Sequence, residues 1–198
     1  MTSANETRSR ILAAATAEFA ARGIAGARVD RIAASSGASK PMLYAYFGGK
    51  EQLFEAVFTD HVIANSDRVP FTADDLPGYA VRLYDDYLAD PDLLRLIAWK
   101  RLERVPEGYL YVGLEGNDEE HLRDIVVQQQ NGSIRSDLDP RDVWSLLISL
   151  SSTWAQAAVT EVAGTTDPEA VHERRKTALA ETVRTGLCAA TAATAVTA

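Results

Sequence analysis

Hydrogen-bond donors are concentrated in one short stretch of the 198-residue chain, between residues 28 and 50. Arginine, lysine, serine and tyrosine side chains commonly donate to the phosphate oxygens of nucleic acids. A lysine also donates to O6 and N7 of guanine, whereas proline and methionine make only apolar contacts, for instance with a thymine methyl group. The pattern therefore indicates a surface that contacts both the backbone and the base edges of DNA.

The candidates divide into two groups by their chemistry. Those expected to contact phosphates are Arg28, Tyr44, Tyr46 and Lys50, and those expected to contact base edges are Lys40, Pro41 and Met42, with Ser39 at the margin. Arg28 also lies at the start of a predicted helix, where the helix dipole favours an anion. Any one of these side chains taken alone could equally belong to a solvated surface or, for Met42 and Tyr44, to packing, so the assignment depends on the elements that hold them.

The elements that hold these residues are predicted to be a helix-turn-helix. A first short helix over residues 28 to 35 has apolar residues spaced to face inward, and Gly37 ends it. Ser39 is a favourable N-cap and Pro41 is favourable just inside the start of a second helix, which spans residues 40 to 47. The second helix of this motif lies in the DNA major groove. Helix pairs with a glycine corner also occur in purely structural bundles, so the motif alone leaves both possibilities open.

Residues 8 to 58 resemble the DNA-binding domain of the TetR family of bacterial transcriptional regulators. The resemblance is carried by Gly23, Val29, Ile32, Ala33, Gly37, Ser39, Leu43, Tyr44, Tyr46, Phe47, Lys50, Glu51 and Leu53. The chain departs from the family pattern at Ala27 and Arg28, where threonines are common, at Ala45, where a histidine or larger side chain is common, and at Gly48-Gly49, which replaces Pro-Ser. The resemblance implies a homodimeric, ligand-responsive repressor.

The remaining chain is expected to be helical throughout, which gives an all-α fold. A first helix is predicted from about residue 6 to residue 22, a connecting helix from 50 to 64, and a linker from 65 to 73. This predicts an N-terminal three-helix helix-turn-helix bundle (1–49), joined by the connecting helix (50–64) to a C-terminal helical domain (65–198) for effector binding and dimerisation.

Five or six helices are expected after the linker. Aspartate followed by proline at 90–91, 139–140 and 167–168 predicts three N-caps, and the Tyr-Leu-Tyr-Val run at 109–112 is interpreted as a loop between glycines. The penultimate helix, predicted from Pro140 to about Ala163, is apolar nearly all round, and the last is predicted from Glu169 to about Ala190. A helix with two apolar faces packs on its own chain with one and on a partner with the other, or occupies the centre of a bundle.

A homodimer through the last two helices follows from the first of these alternatives. The candidate interface residues are Trp144, Leu147, Leu150, Leu179, Val183 and Leu187. The alternative is a monomeric bundle in which the same residues form the core.

Aromatic residues predict a small-molecule effector site in the C-terminal domain, because such sites are pockets lined mainly by apolar and aromatic side chains. The candidates are Tyr84, Tyr87, Trp99, Tyr109, Tyr111 and Trp154. Aromatic residues at helical spacing are also common in ordinary cores, and the sequence does not separate the two.

Charge divides the chain in the same place. The net charge is −8, yet residues 1 to 50 carry seven Lys or Arg and three acidic residues, and so bear +4 against −12 for the remainder. This places the surface for anionic DNA in the N-terminal domain. It argues against an architectural DNA-binding protein, since an acidic body is unnecessary for that function.

Other classes are disfavoured by what the sequence lacks. A single cysteine, Cys188, and three scattered histidines predict no metal site, and no cofactor is expected. Gly48-Gly49-Lys50 lacks the upstream glycine and strand of a phosphate loop, so an enzyme is not indicated. No stretch is apolar enough to predict a membrane span, and the cytoplasm is the expected location. The resulting hypothesis is a homodimeric repressor that binds double-stranded DNA at a palindromic operator and is released by an effector. The alternative is a constitutive repressor or an architectural protein without an effector.

Overall fold

The computed structural model describes residues 3–111 and 115–190, and the elements below are those within these ranges. They are nine α-helices: α1 (Ser3–Gly26), α2 (Val29–Ser36), α3 (Lys40–Phe47), α4 (Lys50–Arg68), α5 (Leu76–Ala89), α6 (Asp92–Glu103), α7 (Glu115–Gln130), α8 (Pro140–Ser151) and α9 (Glu169–Leu187). The extended pairing in this part of the chain is one isolated antiparallel bridge between Ile134 and Cys188. The predicted all-α class is confirmed, with five helices after the linker.

The chain folds into two compact units that are interleaved in sequence. Unit 1 comprises Met1–Arg68 and Asp90–Leu110, and unit 2 comprises Val69–Ala89 and Tyr111–Ala198. The chain therefore passes between the units three times. Helix α6, which the linear division at residue 65 places in the C-terminal domain, belongs to unit 1.

Unit 1 is built around α1, which packs against α2, α4 and α6. Its core contains Ile11, Phe19, Ile24, Ile32, Leu43, Phe54, Val57, Phe58 and Leu96, all nearly or completely buried. The rings of Phe19 and Phe54 meet edge to face with centroids 5.2 Å apart. The buried face of α4, which carries Phe54, Val57 and Phe58, is thus the face that packs against α1.

Helix α6 is fastened to unit 1 by polar contacts as well as by packing. Gly23 interrupts α1 with φ 71° and ψ 178°, and this break frees the amide of Ala25, which donates to Glu103 Oε2 at 2.7 Å. The indole of Trp99 donates to the carbonyl of Ala20 at 3.2 Å. A β-carbon at Gly23 would lie 2.9 Å from the Trp99 ring. The ring can approach α1 this closely because residue 23 is a glycine.

The buried cation Lys100 adds a further contact between α6 and α4. It is 5% exposed, and its Nζ lies 2.7 Å from Glu55 Oε2 and 4.0 Å from the centre of the Phe58 ring. One turn away, Arg104 pairs with Glu51 at 2.6 Å. A buried ammonium is tolerated because it is both paired and stacked on an aromatic face.

Unit 2 centres on α5, which packs against α8 and α9, while α7 packs against α8. Its core is formed by Leu76, Ala80, Leu83, Ile125, Val143, Leu147, Leu179 and Val183, all at most 3% exposed. In α5, α8 and α9 these residues recur three or four positions apart, so each helix turns one apolar face inward.

Helix α8 ends at Ser151, twelve residues before the predicted end near Ala163, so that prediction is wrong. The hydroxyls of Ser151 and Thr153 donate to the carbonyls of Leu147 and Leu150, both at 2.7 Å. Such back-bonding by serine and threonine competes with helix continuation. The apolar residues that follow lie in irregular chain, where Val159 is fully exposed.

The irregular chain after α8 is held in place by a buried arginine on α9. Arg175 is 2% exposed, and its guanidinium contacts Asp167 at 2.6 Å and Glu161 at 2.9 Å. The guanidinium holds the pKa of the Asp167 carboxyl below its usual range. Asp167 is therefore engaged with Arg175 and is not the N-cap that the sequence predicts; Pro168 occupies the cap position.

Of the three aspartates predicted as N-caps, Asp139 is the one whose side chain caps its helix. Asp139 accepts from the amide of Arg141 at 2.8 Å at the start of α8. Asp90 instead accepts from Arg68 at 3.1 Å, and the cap position of α6 is Pro91.

Within the described ranges, no helix is both long enough and apolar enough to cross a membrane.

Candidate nucleic-acid interface

Helices α2 and α3 form the predicted helix-turn-helix. Gly37 ends α2 with φ 66° and ψ 18°, a left-handed conformation that glycine adopts without strain. The Ser39 hydroxyl accepts from the amide of Met42 at 3.3 Å, and α3 has the predicted bounds, Lys40–Phe47. The local signals therefore determine where the second helix begins and ends.

One face of α3 is anchored in unit 1 and the other is open. Leu43 is 2% exposed, whereas Met42, Tyr44 and Tyr46 are 41%, 46% and 39% exposed. Met42 and Tyr46 lie at i and i+4 on one side of the helix, and large apolar and aromatic side chains exposed together mark surfaces that contact another molecule. Lys40 and Pro41 lie exposed at the start of the same helix.

Lys40 is not a lone cation on this surface. Its Nζ lies 2.9 Å from Oδ1 of Asp30, in the first turn of α2, and both side chains are largely exposed. The hydrogen bond from Lys40 to Asp30 raises the pKa of the lysine, which therefore stays charged. Asp30 was not singled out from the sequence, because contact between the two helices is not visible in the spacing of the residues.

Lys50 has a structural role that the sequence did not show. Its ammonium donates to the carbonyls of Ala25 and Ala27, at 3.3 and 3.4 Å, beside the interrupted end of α1. Carbonyls at a helix end carry partial negative charge and lack partners, so a cation satisfies them. Loss of Lys50 would thus weaken the packing of α4 against the end of α1 as well as any phosphate contact.

Arg28 lies exposed at the N-cap position of α2, where its backbone is fixed by the preceding helix. Glu18 accepts from the amide of Arg28 at 2.9 Å and from Nε of Arg31 at 2.7 Å. The hydrogen bond from Arg31 holds the pKa of the Glu18 carboxyl below its usual range. The Glu18 carboxylate therefore accepts from an amide at the start of α2 that has no partner within the helix. This contact fixes the backbone of Arg28, while its side chain remains exposed to solvent.

Tyr46 contacts the start of α1. Its hydroxyl donates to the carbonyl of Ala4 at 3.4 Å, and the guanidinium of Arg8 lies 5.7 Å from the centre of the neighbouring Phe47 ring. The N-terminal turn of α1 therefore lies beside the end of α3, where Arg8 brings a further positive charge that the sequence analysis did not include among the candidates.

The six aromatic residues predicted to line a pocket are dispersed. Trp99 and Tyr109 belong to unit 1, where Trp99 packs on α1 and Tyr109 is 42% exposed. In unit 2, the Tyr84 hydroxyl lies 2.7 Å from His172 Nδ1 and its ring is 6.1 Å from that of Trp154. Two of the six thus belong to unit 1 and the other four to unit 2.

Tyr87 and Tyr111 lie in the same neighbourhood of unit 2. Burial raises the pKa of the Tyr87 hydroxyl well above its usual range, and Tyr111 adds an electrostatic effect on both Tyr87 and Tyr79. The hydroxyl of Tyr87 is thus neutral in the folded protein.

A different aromatic cluster is formed by Phe71, Tyr79, His121 and Trp144. Phe71 lies 4.8 Å from His121 and 5.2 Å from Trp144, and His121 lies 4.6 Å from Trp144, measured between ring centres. Nδ1 of His121 is buried and has no hydrogen-bond partner among the described residues, and burial lowers the pKa of this imidazole. These residues are far apart in sequence, so periodicity within one helix could not identify the cluster.

The six residues predicted for a dimer interface are mainly internal. Leu147, Leu179, Val183 and Leu187 are at most 3% exposed within the single chain, while Trp144 and Leu150 are half-buried. The large apolar residue that is exposed on α8 is Leu146, with 46% of its surface accessible. An open groove of about 570 Å³ lies between α7 and α8, lined by Leu122, Val126 and Val127 of α7 and by Pro140 and Arg141 of α8.

Comparisons with known proteins bear on both halves of the chain. Residues 11–57 match the family model of bacterial regulatory proteins of the tetR family, and residues 75–185 match that of the tetracyclin repressor-like C-terminal domain. The HTH-type transcriptional repressor SCO4008 of Streptomyces coelicolor is 39% identical over 153 residues, which is 75% of this chain and 78% of that protein. The HTH-type transcriptional repressor NicS of Pseudomonas putida is 29% identical over 61% of this chain and 56% of its own length.

Among solved structures, a transcriptional regulator, SCO4942 from Streptomyces coelicolor, is similar along nearly the whole chain. It is 37% identical, superposes with a TM-score of 0.76, and the match covers 91% of this chain and 98% of that one. The similarity thus extends across both units.

Proposed function

The chain belongs to the TetR family of bacterial transcriptional regulators, and on this basis we propose that it is a homodimeric repressor of a palindromic operator, released from DNA by a small-molecule effector. Membership makes it a DNA-binding regulator of transcription and not an enzyme. The operator, the dimer and the effector are the parts proposed here, and the protein is proposed to act in the cytoplasm.

The open face of α3 is the observation that carries the proposal for the operator. Lys40 and Met42 project from the start of the helix, where recognition helices contact base edges. Tyr44 lies farther along the helix, and its hydroxyl can donate to a phosphate. We propose that the whole of unit 1 forms the DNA-binding domain. Helix α6 is included because Trp99 and Glu103 hold it against α1, the helix on which the helix-turn-helix packs.

A dimer follows from the size of a palindromic site, since two recognition helices must enter major grooves roughly 34 Å apart. In this proposal the second copy covers the exposed side of α8, which includes Leu146 and the half-buried Leu150. The four buried leucine and valine residues predicted from sequence then support that surface from within.

The effector part of the proposal is supported by the cluster of Phe71, Tyr79, His121 and Trp144. Its rings, together with an unpartnered imidazole nitrogen, are the groups that a flat, largely apolar molecule with one polar atom would contact. The second candidate function is a constitutive repressor without an effector. It is favoured by two of the predicted pocket residues, since the Trp99 indole is engaged with the carbonyl of Ala20 and Tyr109 is 42% exposed.

Selection of bound duplexes from a random pool tests the operator proposal. We expect an inverted repeat whose half-sites lie in successive major grooves. Binding to all sequences with similar affinity would contradict it and would favour an architectural role.

The effector proposal is tested by linkage. A ligand found by thermal-shift screening is titrated into the protein with and without operator DNA, and a true effector that favours the DNA-free state by 1–3 kcal/mol binds about 5–150-fold more weakly when operator is present. Screening is repeated with His121→Ala, which should weaken the binding of any ligand that contacts the cluster of Phe71, Tyr79, His121 and Trp144. If every stabilising ligand bound equally in both conditions, the constitutive repressor would be the correct alternative.

A further inference from the structure

We propose that Asp30 and Lys40 act together to recognise one G·C base pair, with Lys40 donating to guanine and Asp30 accepting from the amino group of cytosine. The proposal rests on the sequence-specific operator binding proposed above. It adds a specificity-determining residue, Asp30, whose negative charge would otherwise be unfavourable on a DNA-binding surface.

Asp30 is an exposed acid in the part of the chain that carries a net positive charge. Asp30 is one of three acidic residues among the first 50, and its side chain is 73% exposed. Glu18 is used internally, since it holds the start of α2 through Arg28 and Arg31. Among the described residues the ion pair of Asp30 is with Lys40, and its place in the first turn of α2 adds the general preference of a helix start for an anion. Exposed ion pairs of this kind contribute little to folding stability.

Position makes Asp30 part of the recognition site. Lys40 is the first residue of α3, directly after the Ser39 cap, and residues at this end of a recognition helix contact base edges. The carboxylate lies 2.9 Å from the lysine ammonium. If Lys40 reaches a base edge from this arrangement, the Asp30 carboxylate is at most about two hydrogen-bond lengths from the atom that the lysine contacts, which is close enough to reach the neighbouring base of the same pair.

The chemistry of the pair matches a G·C edge. In the major groove guanine presents two acceptors, N7 and O6, and cytosine presents one donor, the N4 amino group. O6 and N4 are hydrogen-bonded to each other, so they lie about 2.9–3.0 Å apart. An ammonium and a carboxylate held at 2.9 Å can therefore meet O6 and N4 side by side without separating.

An A·T pair fits this arrangement less well. An A·T pair also presents an acceptor beside an amino group, thymine O4 beside adenine N6, but thymine offers the ammonium that single acceptor with a methyl group next to it, and adenine N7 is an acceptor next to the amino group that the carboxylate would contact. Guanine offers the ammonium two acceptors and no methyl group, and no acceptor lies beyond the cytosine amino group. On a base pair of the reversed orientation the carboxylate faces base acceptors, and off the base edges it faces phosphates, and both repel it. Asp30 thus weakens binding to wrong sequences and is compensated on the right one, which is how a repulsive group produces specificity.

The experiment compares the sequences selected by the wild-type protein, Asp30→Ala, Lys40→Met and the double variant. Asp60→Ala is the matched control, because it removes an exposed carboxylate from α4 in the same unit but outside the helix pair. We expect Asp30→Ala and Lys40→Met to lose preference, by about 5–150-fold, at the same G·C pair. The double variant should lose no more there than either single variant, since the two residues act as a unit.

A second measurement separates recognition from simple charge. The affinity of Asp30→Ala for a random-sequence duplex should rise at low salt and fall more steeply with salt, by about one in the log–log slope, whereas Asp60→Ala should match the wild type. This gain on random DNA must accompany the loss of base preference for the proposal to stand.

Several results would overturn the inference. They are an unchanged selected sequence for Asp30→Ala, a change at a different pair from that of Lys40→Met, additive losses in the double variant, or an A·T pair at the shared position. A wild-type protein that selected no sequence would instead contradict the proposed operator binding. The two failures are therefore distinguishable.

Discussion

At the scale of single residues, Gly23 shows how a side chain that is absent organises its surroundings. Its φ of 71° breaks α1, and the space at its α-carbon is taken by the Trp99 ring and the Glu103 carboxylate. A β-carbon there would be 2.3 Å from Glu103 Oε1, in addition to the strain of the left-handed backbone. The position therefore requires glycine for two independent reasons.

Gly23→Ala is accordingly expected to lower the free energy of unfolding by about 1–3 kcal/mol. Gly26→Ala is the matched control, because a β-carbon there meets only ordinary contact with Arg22 at 3.5 Å. The control should change stability by less than about 1 kcal/mol. Urea denaturation of both variants checks the prediction, and equal effects would contradict it.

Glu18 gives a prediction about acid stability. Its hydrogen bond with Arg31 lowers the pKa of the folded protein's carboxyl below the ordinary 4.5. A carboxyl with a depressed folded-state pKa contributes stability that is fully present above the unfolded-state pKa and is lost as the pH falls through the folded-state pKa. Stability should therefore decline below about pH 4.5.

Glu18→Gln should lower stability at pH 7 by about 1.5–3 kcal/mol, since hydrogen bonds to a charged group are lost, and should make the decline below pH 4.5 shallower. The control is Glu6→Gln, which alters an exposed carboxylate on the same helix. Denaturation midpoints between pH 7 and pH 3 provide the measurement. A parallel decline in the wild type and Glu18→Gln would show that other groups cause it.

At the scale of elements, both ends of α3 were predictable from the sequence, whereas for α8 the start was predictable and the end was not. Ser39, Pro41 and Gly48 are local signals for the bounds of α3, and the helix has the predicted range Lys40–Phe47. The end of α8 depends on hydroxyl back-bonds at Ser151 and Thr153, and the chain beyond it is held by a buried cation on a distant helix. Apolar periodicity reports none of these contacts, so it extended α8 too far.

The same distinction applies to the candidate site. Which residues lie on α3 followed from the sequence, but their partners did not, because the contacts of Lys40 with Asp30 and of Lys50 with Ala25 join separate elements. The dispersed aromatic residues show the limit most clearly. Trp99 resembles a pocket residue by type alone, and only packing places it on α1.

Arg175→Met tests whether the chain after α8 depends on its buried cation. The substitution removes the partner that ties Asp167 and Glu161 to α9, and should lower the free energy of unfolding by clearly more than a substitution at an exposed arginine of the same helix. Its neighbour Arg174 is exposed, so Arg174→Met should change stability by no more than about 0.5 kcal/mol. Chemical denaturation of the two variants gives the comparison, and a small effect at Arg175 would contradict this account.

At the scale of the whole molecule, the proposed dimer can be separated from folding by two adjacent residues of α8. Leu147 is fully buried in unit 2, whereas Leu146 is 46% exposed. Leu147→Glu should unfold unit 2, because a buried unpaired charge costs several kcal/mol. Leu146→Glu should leave helix content unchanged and convert the proposed dimer to a monomer.

Sedimentation at micromolar concentration, with circular dichroism as the test of folding, distinguishes these outcomes. A wild-type monomer that still bound a palindrome tightly would contradict the proposed assembly. A folded dimer of Leu146→Glu would place the interface on another surface.

The three crossings between the units also decide how the protein can be divided. A fragment that ends at Arg68 contains the helix-turn-helix and α4, yet it lacks α6 and leaves the surface of α1 around Gly23 and Ala25 bare. Extending the fragment to Leu110 restores α6 but brings in α5, whose buried face is completed by α8 and α9. No contiguous length of gene therefore encodes the DNA-reading unit alone, and exchanging that unit between regulators requires two separated segments to be transplanted together.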